Sequence, residues 1–578
     1  MDVAVAKESC SKVQNGTAAQ GLERKSIFGL LILLVATLLV CLIASPAGNF
    51  PVNDDRIYAE CVKDLAEKGI FSIEVSNSFD FIPIVSAALA AKVFGFSYEL
   101  LRFVTIAFHL LGIGGLYLAL RQMKLKDMDS AILSSVYALN PFMINLSLSF
   151  MSDVPALAFQ NWCLYAIISA YSKEKLRYFV AAIIFLSAAA ATRQTCLVLL
   201  PVIIILAWQT LRKTSDKVLI ISSVLIPFLT WLSLHSFMME VQRSIASYSD
   251  YSNLMLNSVG VFSSLATSLE FIAKGACYFG LFFFPISLVL FPLALLKKTQ
   301  ARIGALIAAL VLSAIPLAYM QIKGAFMPYS LNLFIPPILG SYTLIGGTPI
   351  WSYEHLKQFT YFCDFAAIAW IFVMSFGFLY KHSSSSVEDN AIYSRERTFM
   401  ICIVLFLTAA LIVQLKTSNF DRYYLLGLAP FLLCLVPSWR ILNPKKLRLA
   451  ALLLSCLAGA YALLAASDVM NFGRAQWQAI QTLERSGVPS DRIDGGAMHS
   501  IHRIKHPIFA STFRQAIGWP ERVRGSKELC NYRWWPVIGE DYVIASCKLP
   551  KYKEIAAVKY WSSLAFKTRK ILILKKDL

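Results

Sequence analysis

Charged residues are scarce in this sequence of 578 residues. Asp, Glu, Lys and Arg make up only 15% of the chain, against about 25% in an ordinary soluble domain. Hydrophobic residues account for 57%, and the mean hydropathy is +0.60. This shortage of charge excludes a simple soluble domain. The repeated apolar runs of about twenty residues predict an α-helical polytopic membrane protein.

The sequence also lacks the patterns of several other protein classes. Its twelve cysteines form no Cys-x-x-Cys pair, so they provide no sequence evidence for a zinc or dithiol site. We find no internal repeat. The net charge of +19 is not accompanied by a basic strand interleaved with aromatic residues, so we expect no nucleic-acid partner.

Thirteen apolar segments are predicted to span the membrane. The first follows a polar, cytoplasmic segment over residues 1–25 and has no convincing cleavage site, so we predict that it remains uncleaved. The membrane domain is expected over 26–466. The predicted spans are 26–45, 98–120, 129–147, 153–171, 177–193, 195–211, 217–237, 270–295, 303–320, 361–380, 398–415, 423–439 and 447–466.

Lysine and arginine collect in every second loop, which by the positive-inside rule faces the cytoplasm. With an odd number of spans, this phase predicts an inner-membrane protein whose N-terminus is cytoplasmic and whose C-terminus is outside. The basic loops hold Arg24/Lys25, Arg121/Lys124/Lys126, Lys173/Lys175/Arg177, Arg212/Lys213/Lys217, Lys297/Lys298/Arg302, Arg395/Arg397 and Lys445/Lys446/Arg448. The alternate loops hold Asp54, Asp55, Asp80, Asp153, Arg193 and Asp421/Arg422.

The first outer loop, residues 46–97, is too long to be a simple connector. Residues 55–68 are predicted to form a short helix. Residues 79–94 are apolar but short for a span, so we expect a helix that lies in the membrane interface.

The tail over residues 467–578 is more polar and carries a formal charge of +9. Strand-like runs at 542–545 and 571–574 predict a small extracytoplasmic α/β domain. Cys530 and Cys547 are candidates for a disulfide there, because the outer compartment is oxidising.

Carboxylates recur at the outer edge of the apolar segments. Asp54 and Asp55 follow the first span, and Asp153 precedes Val-Pro at the start of the fourth. Each could be a solvated loop residue. Asp153 could also cap its helix, lie in an active site, or do both.

Two arginines stand at the same edge. Arg193 interrupts an apolar run, so it either faces a cavity and binds an anion or extends outward to the interface. Arg422 follows Asp421. The two could form a surface ion pair, or Arg422 could contact a substrate.

Four motifs together resemble the GT-C glycosyltransferases that use polyprenyl-phosphate sugars, and more narrowly the protein mannosyltransferase and aminoarabinose transferase group. They occur in the family's order and spacing over roughly residues 26–440. The matching segments are Asn53-Asp-Asp-Arg-Ile-Tyr-Ala-Glu60, similar to Asp-Glu-x-x-Tyr-Ala-Glu; Phe150-Met-Ser-Asp-Val-Pro155, similar to the second acidic motif; Thr192-Arg-Gln-Thr195, where the family often has Thr-Lys; and Asp421-Arg-Tyr-Tyr-Leu-Leu-Gly-Leu-Ala-Pro430, similar to Arg-Tyr-Leu-Leu-Pro-x-x-Pro.

The sequence departs from the family pattern in two places. Asp55 stands where the family has Glu. Phe81-Ile82-Pro83 stands where Lys-Pro or His-Pro-Pro is frequent, so a cationic contact of some members is missing there. The missing cationic contact affects the expected identity of the sugar and the lipid, and it has less effect on the expected class of reaction.

The resemblance implies an integral-membrane glycosyltransferase of the cell envelope. It would move a hexosyl or pentosyl group from a polyprenyl phosphate to an acceptor at the outer face, with inversion. Such a reaction needs a base for the acceptor and cations for the departing phosphate. The implied residues are Asp54 as general base, Asp55 and Asp153 shaping the site, Arg193, Arg422 and Tyr423 on the lipid phosphate, and Tyr58 and Glu60 in support.

Several points stay open at this stage. No metal is assigned, although Asp54, Asp55 and Asp153 would hold Mg²⁺ or Mn²⁺ if one is used. The sugar, the lipid length, the oligomeric state and the acceptor, whether protein, lipid or glycan, are not defined. Membrane lipid is an expected partner.

A polytopic transporter or lipid flippase is the main alternative function, and a non-catalytic scaffold is a second. A transporter would place its charges near the bilayer midplane and show two related halves. A scaffold would leave the four motifs unexplained.

Overall fold

The computed structural model describes most of the membrane domain and two parts of the tail. The residues it describes are 28–52, 55–71, 80–242, 265–330, 333–340, 344, 353–380, 396–408, 420–496, 499, 541–549 and 551–577.

Helices dominate the described residues. They are α1 (Phe28–Ile43), α2 (Asp55–Lys68), α3 (Phe81–Phe94), α4 (Tyr98–Gln122), α5 (Asp127–Ala138), α6 (Pro141–Ser147), α7 (Asp153–Lys173), α8 (Leu176–Ala190), α9 (Leu200–Thr210), α10 (Thr214–Ser223), α11 (Leu225–Gln242), α12 (Leu265–Leu296), α13 (Gln300–Ala309), α14 (Ile315–Ile322), α15 (Tyr353–Leu379), α16 (396–408), α17 (Leu428–Cys434), α18 (Val436–Leu442) and α19 (Arg448–Arg485). Short 3-10 helices at Gln194–Leu199, Asp421–Gly427 and Lys445–Leu447 lead into α9, α17 and α19.

The predicted fold class, a polytopic helical membrane protein with a small C-terminal domain, is confirmed. Among the described residues, seven helices are long and apolar enough to cross a membrane, and four shorter ones are also apolar. The seven are Tyr98–Gln122, Thr214–Phe237, Leu269–Leu296, Gln300–Ile322, Glu354–Leu379, Asp421–Leu442 and Lys445–Arg485. The four shorter ones are Phe28–Ile43, Phe81–Phe94, Leu176–Ala190 and Gln194–Thr210.

Each of the thirteen predicted apolar segments overlaps a helix, but 129–147 does not form a continuous one. It divides into α5 and α6 at Asn140 and Pro141. Proline has no N–H to continue the hydrogen-bond ladder and favours the first position of a new helix. The side chain of Asn140 accepts a hydrogen bond from the Phe142 N–H at 3.0 Å and caps α6. The chain therefore changes direction between α5 and α6, shortly before Asp153.

Small residues bring the membrane helices close together. A Cβ added to Gly115 on α4 would lie 2.9 Å from the backbone nitrogen of Trp162 on α7. A Cβ added to Gly280 on α12 would lie 2.4 Å from the backbone nitrogen of Ala367 on α15. Lipid tails are as apolar as the side chains of membrane helices, so these helices associate mainly through close van der Waals contact. Small residues permit that contact.

The first outer loop contains both helices predicted for it. Helix α2 has the predicted bounds, and α3 begins two residues after the predicted start. Helix α3 buries Ile84 and Ala87, while Leu89, Val93 and Phe94 are exposed. An apolar exposed face of this kind suits a helix that contacts lipid at the interface.

The C-terminal domain is joined to the membrane domain by one continuous helix. Helix α19 has 38 residues and is about 57 Å long at 1.5 Å per residue, well beyond a hydrocarbon core of about 30 Å. The predicted boundary between 466 and 467 falls inside it. Beyond the helix lies a four-stranded mixed sheet. Its strands, from one edge to the other, are β3 (Ile493–Asp494), β4 (Tyr542–Ala545), β6 (Lys567–Lys576) and β5 (Tyr552–Ser562), and only the β3–β4 pair is parallel.

The strands of this sheet confirm both predicted strand segments. The strands are β3 (Ile493–Asp494), β4 (Tyr542–Ala545), β5 (Tyr552–Ser562) and β6 (Lys567–Lys576), and a separate hairpin pairs β1 (Phe334–Ile335) with β2 (Ile338–Leu339). Cys530 lies outside the described residues, so its pairing with Cys547 stays a prediction.

Candidate active site

Asp153 and Arg193 form a buried ion pair where two antiparallel helices meet. Asp153 is the first residue of α7, and Arg193 lies in the turn after α8. The Arg193 Nη1 donates to Asp153 Oδ1 at 2.6 Å, and its Nε donates to Ser152 Oγ at 3.1 Å. The side chains are 14% and 2% exposed. The structure thus brings together the two residues that the sequence placed in separate outer loops.

This geometry decides between the readings of these residues. The Asp153 side chain makes no capping hydrogen bond to α7; its described hydrogen bond is with Arg193. Arg193 points inward to Asp153 and Ser152, so of the two alternatives left open by the sequence, the structure does not favour extension outward to the interface. Ser152 was not predicted from the sequence, because a serine before a helix normally indicates only a cap.

Arg422 and Tyr423 complete the same site from the 3-10 helix Asp421–Gly427. The Arg193 Cζ lies 5.0 Å from the centre of the Tyr423 ring, and the Arg422 Cζ lies 5.7 Å from it. Both distances are within the range of cation–π contacts. Two guanidinium groups therefore converge on one tyrosine. Their mutual repulsion favours an anion between them.

Arg422 is only 8% exposed, so the surface ion pair considered from the sequence is wrong. The neighbouring Asp421 is fully buried. Its carboxylate accepts hydrogen bonds from the backbone N–H groups of Leu333 and Phe334, at 2.8 to 3.0 Å. Asp421 thus ties the β1–β2 hairpin to the site.

A small cleft opens beside the ion pair. Its lining residues are Asp153, Ala156, Leu157, Arg193, Thr195, Cys196, Arg422, Leu425 and Leu426. The second carboxylate oxygen, Asp153 Oδ2, is buried and accepts no hydrogen bond in the described part of the chain. Buried acceptors are normally satisfied, so this oxygen is available to a donor on a ligand. The cleft combines one carboxylate and two cations with apolar walls.

The electrostatic surroundings keep Arg193 charged. Burial lowers the pKa of its guanidinium, but the nearby Asp153, Tyr423 and Asp80 raise it, and the net direction is upward. Asp80 is buried at the start of α3. The next residue, Phe81, donates its N–H to the carbonyl of Ala191 at 3.3 Å, which holds Asp80 beside the Arg193 turn. Asp80 was noted in the sequence only as a loop residue.

Asp55 is buried, but it does not line this cleft. Its Oδ2 accepts the N–H of Val52 at 3.0 Å, and its Oδ1 accepts the N–H of Phe150 at 2.6 Å. Because Phe150 lies three residues before Asp153, Asp55 connects the first outer loop to the segment that leads into the cleft. Its role in shaping the site stays a prediction, and this contact supports it.

The other predicted site residues lie elsewhere. Tyr58 is buried in the helical core, and Glu60 is exposed and pairs with Arg56 at 3.4 Å. Neither lines the cleft. Asp54 lies outside the described residues, so its role as general base stays a prediction.

The described residues contain no group of three or more His, Cys, Asp or Glu placed to hold a metal ion. Because Asp54 lies outside them, the option of Mg²⁺ or Mn²⁺ stays a prediction.

Residues 83–234, about a quarter of the chain, match the family model of dolichyl-phosphate-mannose-protein mannosyltransferases. The resemblance to the GT-C glycosyltransferases is confirmed. This segment contains the second acidic motif and the Arg193 turn, and the match supports a membrane glycosyltransferase. Among curated proteins, none matches the chain.

The solved structures that are similar to the chain include two of different kinds. The first is ArnT from Cupriavidus metallidurans bound to undecaprenyl phosphate, with a TM-score of 0.42, 11% identity, and coverage of 95% of this chain and 98% of that one. The second is the Archaeoglobus fulgidus oligosaccharyltransferase in complex with Zn and sulfate. Its TM-score is 0.39 and its identity 12%, with coverage of 79% of this chain and 55% of that one.

Proposed function

We propose that this protein transfers a sugar from a polyprenyl-phosphate donor to an acceptor at the outer face of the membrane, with inversion at the anomeric carbon. The observation that carries the proposal is the convergence of Arg193 and Arg422 on Tyr423 beside the buried Asp153.

The two arginines suit the phosphate of the donor. A guanidinium group offers a fork of N–H donors that matches phosphate oxygens and stays charged. Arg193 uses Nε and Nη1 for Ser152 and Asp153. Its Nη2 makes no hydrogen bond among the described residues, so it is available to a ligand. Positive charge fixed in a water-poor cleft would stabilise the phosphate as it leaves.

Carboxylates suit the acceptor. An acceptor hydroxyl must lose a proton as it attacks, and a positioned carboxylate can take it. We assign this role to Asp54 on the strength of the motif. Asp153 lines the cleft and has one buried oxygen without a partner among the described residues, and we assign it the role of orienting the acceptor or the sugar. Attack from the side opposite the departing phosphate inverts the anomeric centre.

The site gathers at one end of the helical bundle. Asp153 begins α7 at the cleft, while Lys173 ends α7 at the opposite, basic end. By the positive-inside rule the basic end is cytoplasmic, so we place the cleft and the C-terminal domain outside. A reporter that is active only in the cytoplasm should be inactive when fused after residue 578. Activity there would contradict this orientation.

The transporter alternative is less consistent with where buried charge lies. Besides the pair in the cleft, Arg440 pairs with Glu396 at 2.5 Å and Arg448 with Asp129 at 2.7 Å. Glu396 and Asp129 lie at or near helix starts at the basic end. These pairs flank the bundle at its two ends, whereas a transporter typically binds substrate near the midplane.

Mass spectrometry of cells with and without the gene tests the proposal. Cells that lack the gene should accumulate one polyprenyl-phosphate sugar and lose the same sugar mass from a protein, lipid or glycan. Re-expression of the wild type should reverse both changes, and re-expression of Arg193→Met should reverse neither. If the polyprenyl-phosphate sugars are the same with and without the gene, the proposed function is wrong.

A further inference from the structure

The segment between α1 and the two adjacent carboxylates Asp54 and Asp55 has no regular secondary structure. Several of its carbonyl groups nevertheless accept hydrogen bonds from side chains. Arg102, on α4, is fully buried. Its Nη1 donates to the carbonyls of Pro46 and Gly48, both at 2.7 Å, and its Nη2 donates to that of Phe50. One arginine thus donates to three carbonyls of this irregular segment, of which those of Pro46 and Phe50 belong to buried residues.

A second arginine, on a different helix, holds the same segment. Arg474, on α19, donates from Nη1 to the carbonyl of Ser45 at 3.1 Å and to that of Ala47 at 2.9 Å. Residues 45–50, which we call the anchor segment, therefore lie between two arginines. These come from helices more than 300 residues apart in the sequence.

Arg474 is itself held by the C-terminal domain. Its Nη2 donates to Asn471 Oδ1 at 2.7 Å. The Asn471 Nδ2 donates in turn to the carbonyl of Trp561 at 3.0 Å, on strand β5. A continuous series of hydrogen bonds therefore runs from the outer sheet through Asn471 and Arg474 to the anchor segment.

Packing reinforces these hydrogen bonds. The Phe50 ring lies 4.5 Å from the Arg102 Cζ. On another side it contacts α19 so closely that a Cβ added to Gly473 would lie 2.6 Å from Phe50 Cε2. The end of the anchor segment is therefore confined by both helices.

Hydrogen bonds connect the end of the anchor segment to the proposed active site. Two residues after Phe50, the Val52 N–H donates to Asp55 Oδ2, and Asp55 Oδ1 accepts from Phe150, shortly before Asp153. Asp54 lies between Val52 and Asp55 in the sequence. Any shift of the anchor segment would thus move both acidic motifs of the proposed active site.

We propose that Asn471 and Arg474 are positioning residues, through which the C-terminal domain holds the acidic loop in its reactive place. The proposal rests on the proposed function. Neither residue lines the cleft, and both act through backbone carbonyls. The outer domain is then part of the catalytic apparatus, and anything that displaces its β5 strand would slow transfer.

The proposal predicts a specific kinetic effect. The arginines proposed to bind the donor phosphate lie on other elements and come later in this series of contacts than Asp54, so we expect them to move less than the loop that carries Asp54. We call the series of hydrogen bonds from Trp561 through Asn471 and Arg474 to the anchor segment the relay. Loss of the relay should lower kcat and leave the KM for the donor within about twofold. A misplacement of about 1 Å can cost up to about 10²-fold in rate, and we expect a reduction of about tenfold for this looser loop.

The test uses the full-length protein and three variants on α19. Asn471→Ala and Arg474→Met each interrupt the relay, and Gln478→Ala replaces an exposed amide on the same helix as a matched control. We expect lower kcat and faster deuterium uptake in the peptide covering residues 45–55 for the first two variants. Gln478→Ala should match the wild type in both measurements. Arg474→Lys, which keeps a donor for the carbonyls, should recover part of the rate.

The deuterium measurement separates this inference from the proposed function, because it does not depend on turnover. If the wild type transfers no sugar, the proposed function fails. The deuterium uptake of residues 45–55 in the variants still shows whether Asn471 and Arg474 hold the anchor segment. If Arg474→Met does not fold, Asn471→Ala carries the test, because it removes only a partly exposed amide. Unchanged uptake in Asn471→Ala, or unchanged kcat in an active enzyme, would overturn the inference.

Discussion

Asp55 and Asp153 both begin a helix near the proposed site, and both are almost fully buried, at 1% and 2% exposure. Their partners differ. Both oxygens of Asp55 accept backbone N–H groups. One oxygen of Asp153 pairs with Arg193, and the other accepts no hydrogen bond among the described residues.

Burial alone therefore does not distinguish these two carboxylates, whereas their hydrogen-bond partners do. A carboxylate whose acceptor sites are occupied by backbone donors is held in place and holds its neighbours in place. A carboxylate that pairs one oxygen with an arginine and leaves the other without a protein donor has an acceptor site that a ligand can use. We therefore propose that Asp55 holds the first acidic loop in place, whereas Asp153 contacts a ligand.

The largest effect should come from Asp54, the first carboxylate of the first motif. Asp54→Asn keeps the shape and removes the base, so turnover should fall by roughly 10²–10⁴-fold while binding of polyprenyl phosphate is kept. Initial rates of sugar transfer would measure this, with Glu67→Gln on the exposed side of α2 as control. If Asp54→Asn is active and Asp55→Asn is inactive and stable, the two carboxylates have been assigned the wrong roles.

Asp153→Asn should have the second largest effect. It removes the charge opposite Arg193 and the free acceptor oxygen, so we expect a loss of about 10²-fold in turnover, the lower end of the range for a catalytic carboxylate. Binding of polyprenyl phosphate should persist, because Ser152 still accepts from the Arg193 Nε. Near-normal transfer would reduce Asp153 to a structural partner of Arg193 and remove its contrast with Asp55.

Asp55→Asn should mainly affect stability. An Asn amide would direct an N–H₂ group at one of the two backbone N–H donors, which leaves that donor unsatisfied at a cost of about 1–3 kcal/mol. A thermal-unfolding assay in detergent should show a lower midpoint than for the wild type and a smaller change for Glu67→Gln. An unchanged midpoint would mean that the two hydrogen bonds of Asp55 do not anchor the loop.

Glu60→Gln should have the smallest effect. Glu60 is exposed and pairs with Arg56 one turn earlier on α2, and exposed pairs of this kind contribute about 0.3–0.5 kcal/mol. The unfolding midpoint should therefore remain close to that of the wild type. A large loss of turnover at unchanged stability would show that Glu60 contacts a ligand, as the family motif implied.

Local features of this protein could be predicted from the sequence. The bounds of helix α2 and the positions of strands Tyr542–Ala545 and Lys567–Lys576 follow from short-range patterns of apolar residues and turn signals. The ion pair between Asp153 and Arg193 was not predicted; the alternation of basic loops indicated only the side of the membrane on which each residue lies. That alternation placed both residues on one side of the membrane before any contact was known.

The pairings that define the site could not be predicted. Asp55 binds the backbone of Phe150, 95 residues away, and Asp421 binds that of Leu333, 88 residues away. Backbone N–H groups carry no residue-specific signal, so nothing in one sequence indicates which of them a carboxylate will meet. Arg102 was missed for the same reason. Its partners are carbonyls of an irregular segment, although a charge inside an apolar run is itself a signal.

Binding of polyprenyl phosphate to the purified protein tests the central claim most directly. The dissociation constant should be measured for the wild type, Arg193→Met, Arg422→Met and, as control, Arg212→Met, whose side chain is 89% exposed. We predict at least tenfold weaker binding for the two cleft variants, equivalent to about 1.4 kcal/mol or more, and wild-type affinity for the control. Equal affinity in all four proteins would contradict the assignment of the cleft to the lipid phosphate.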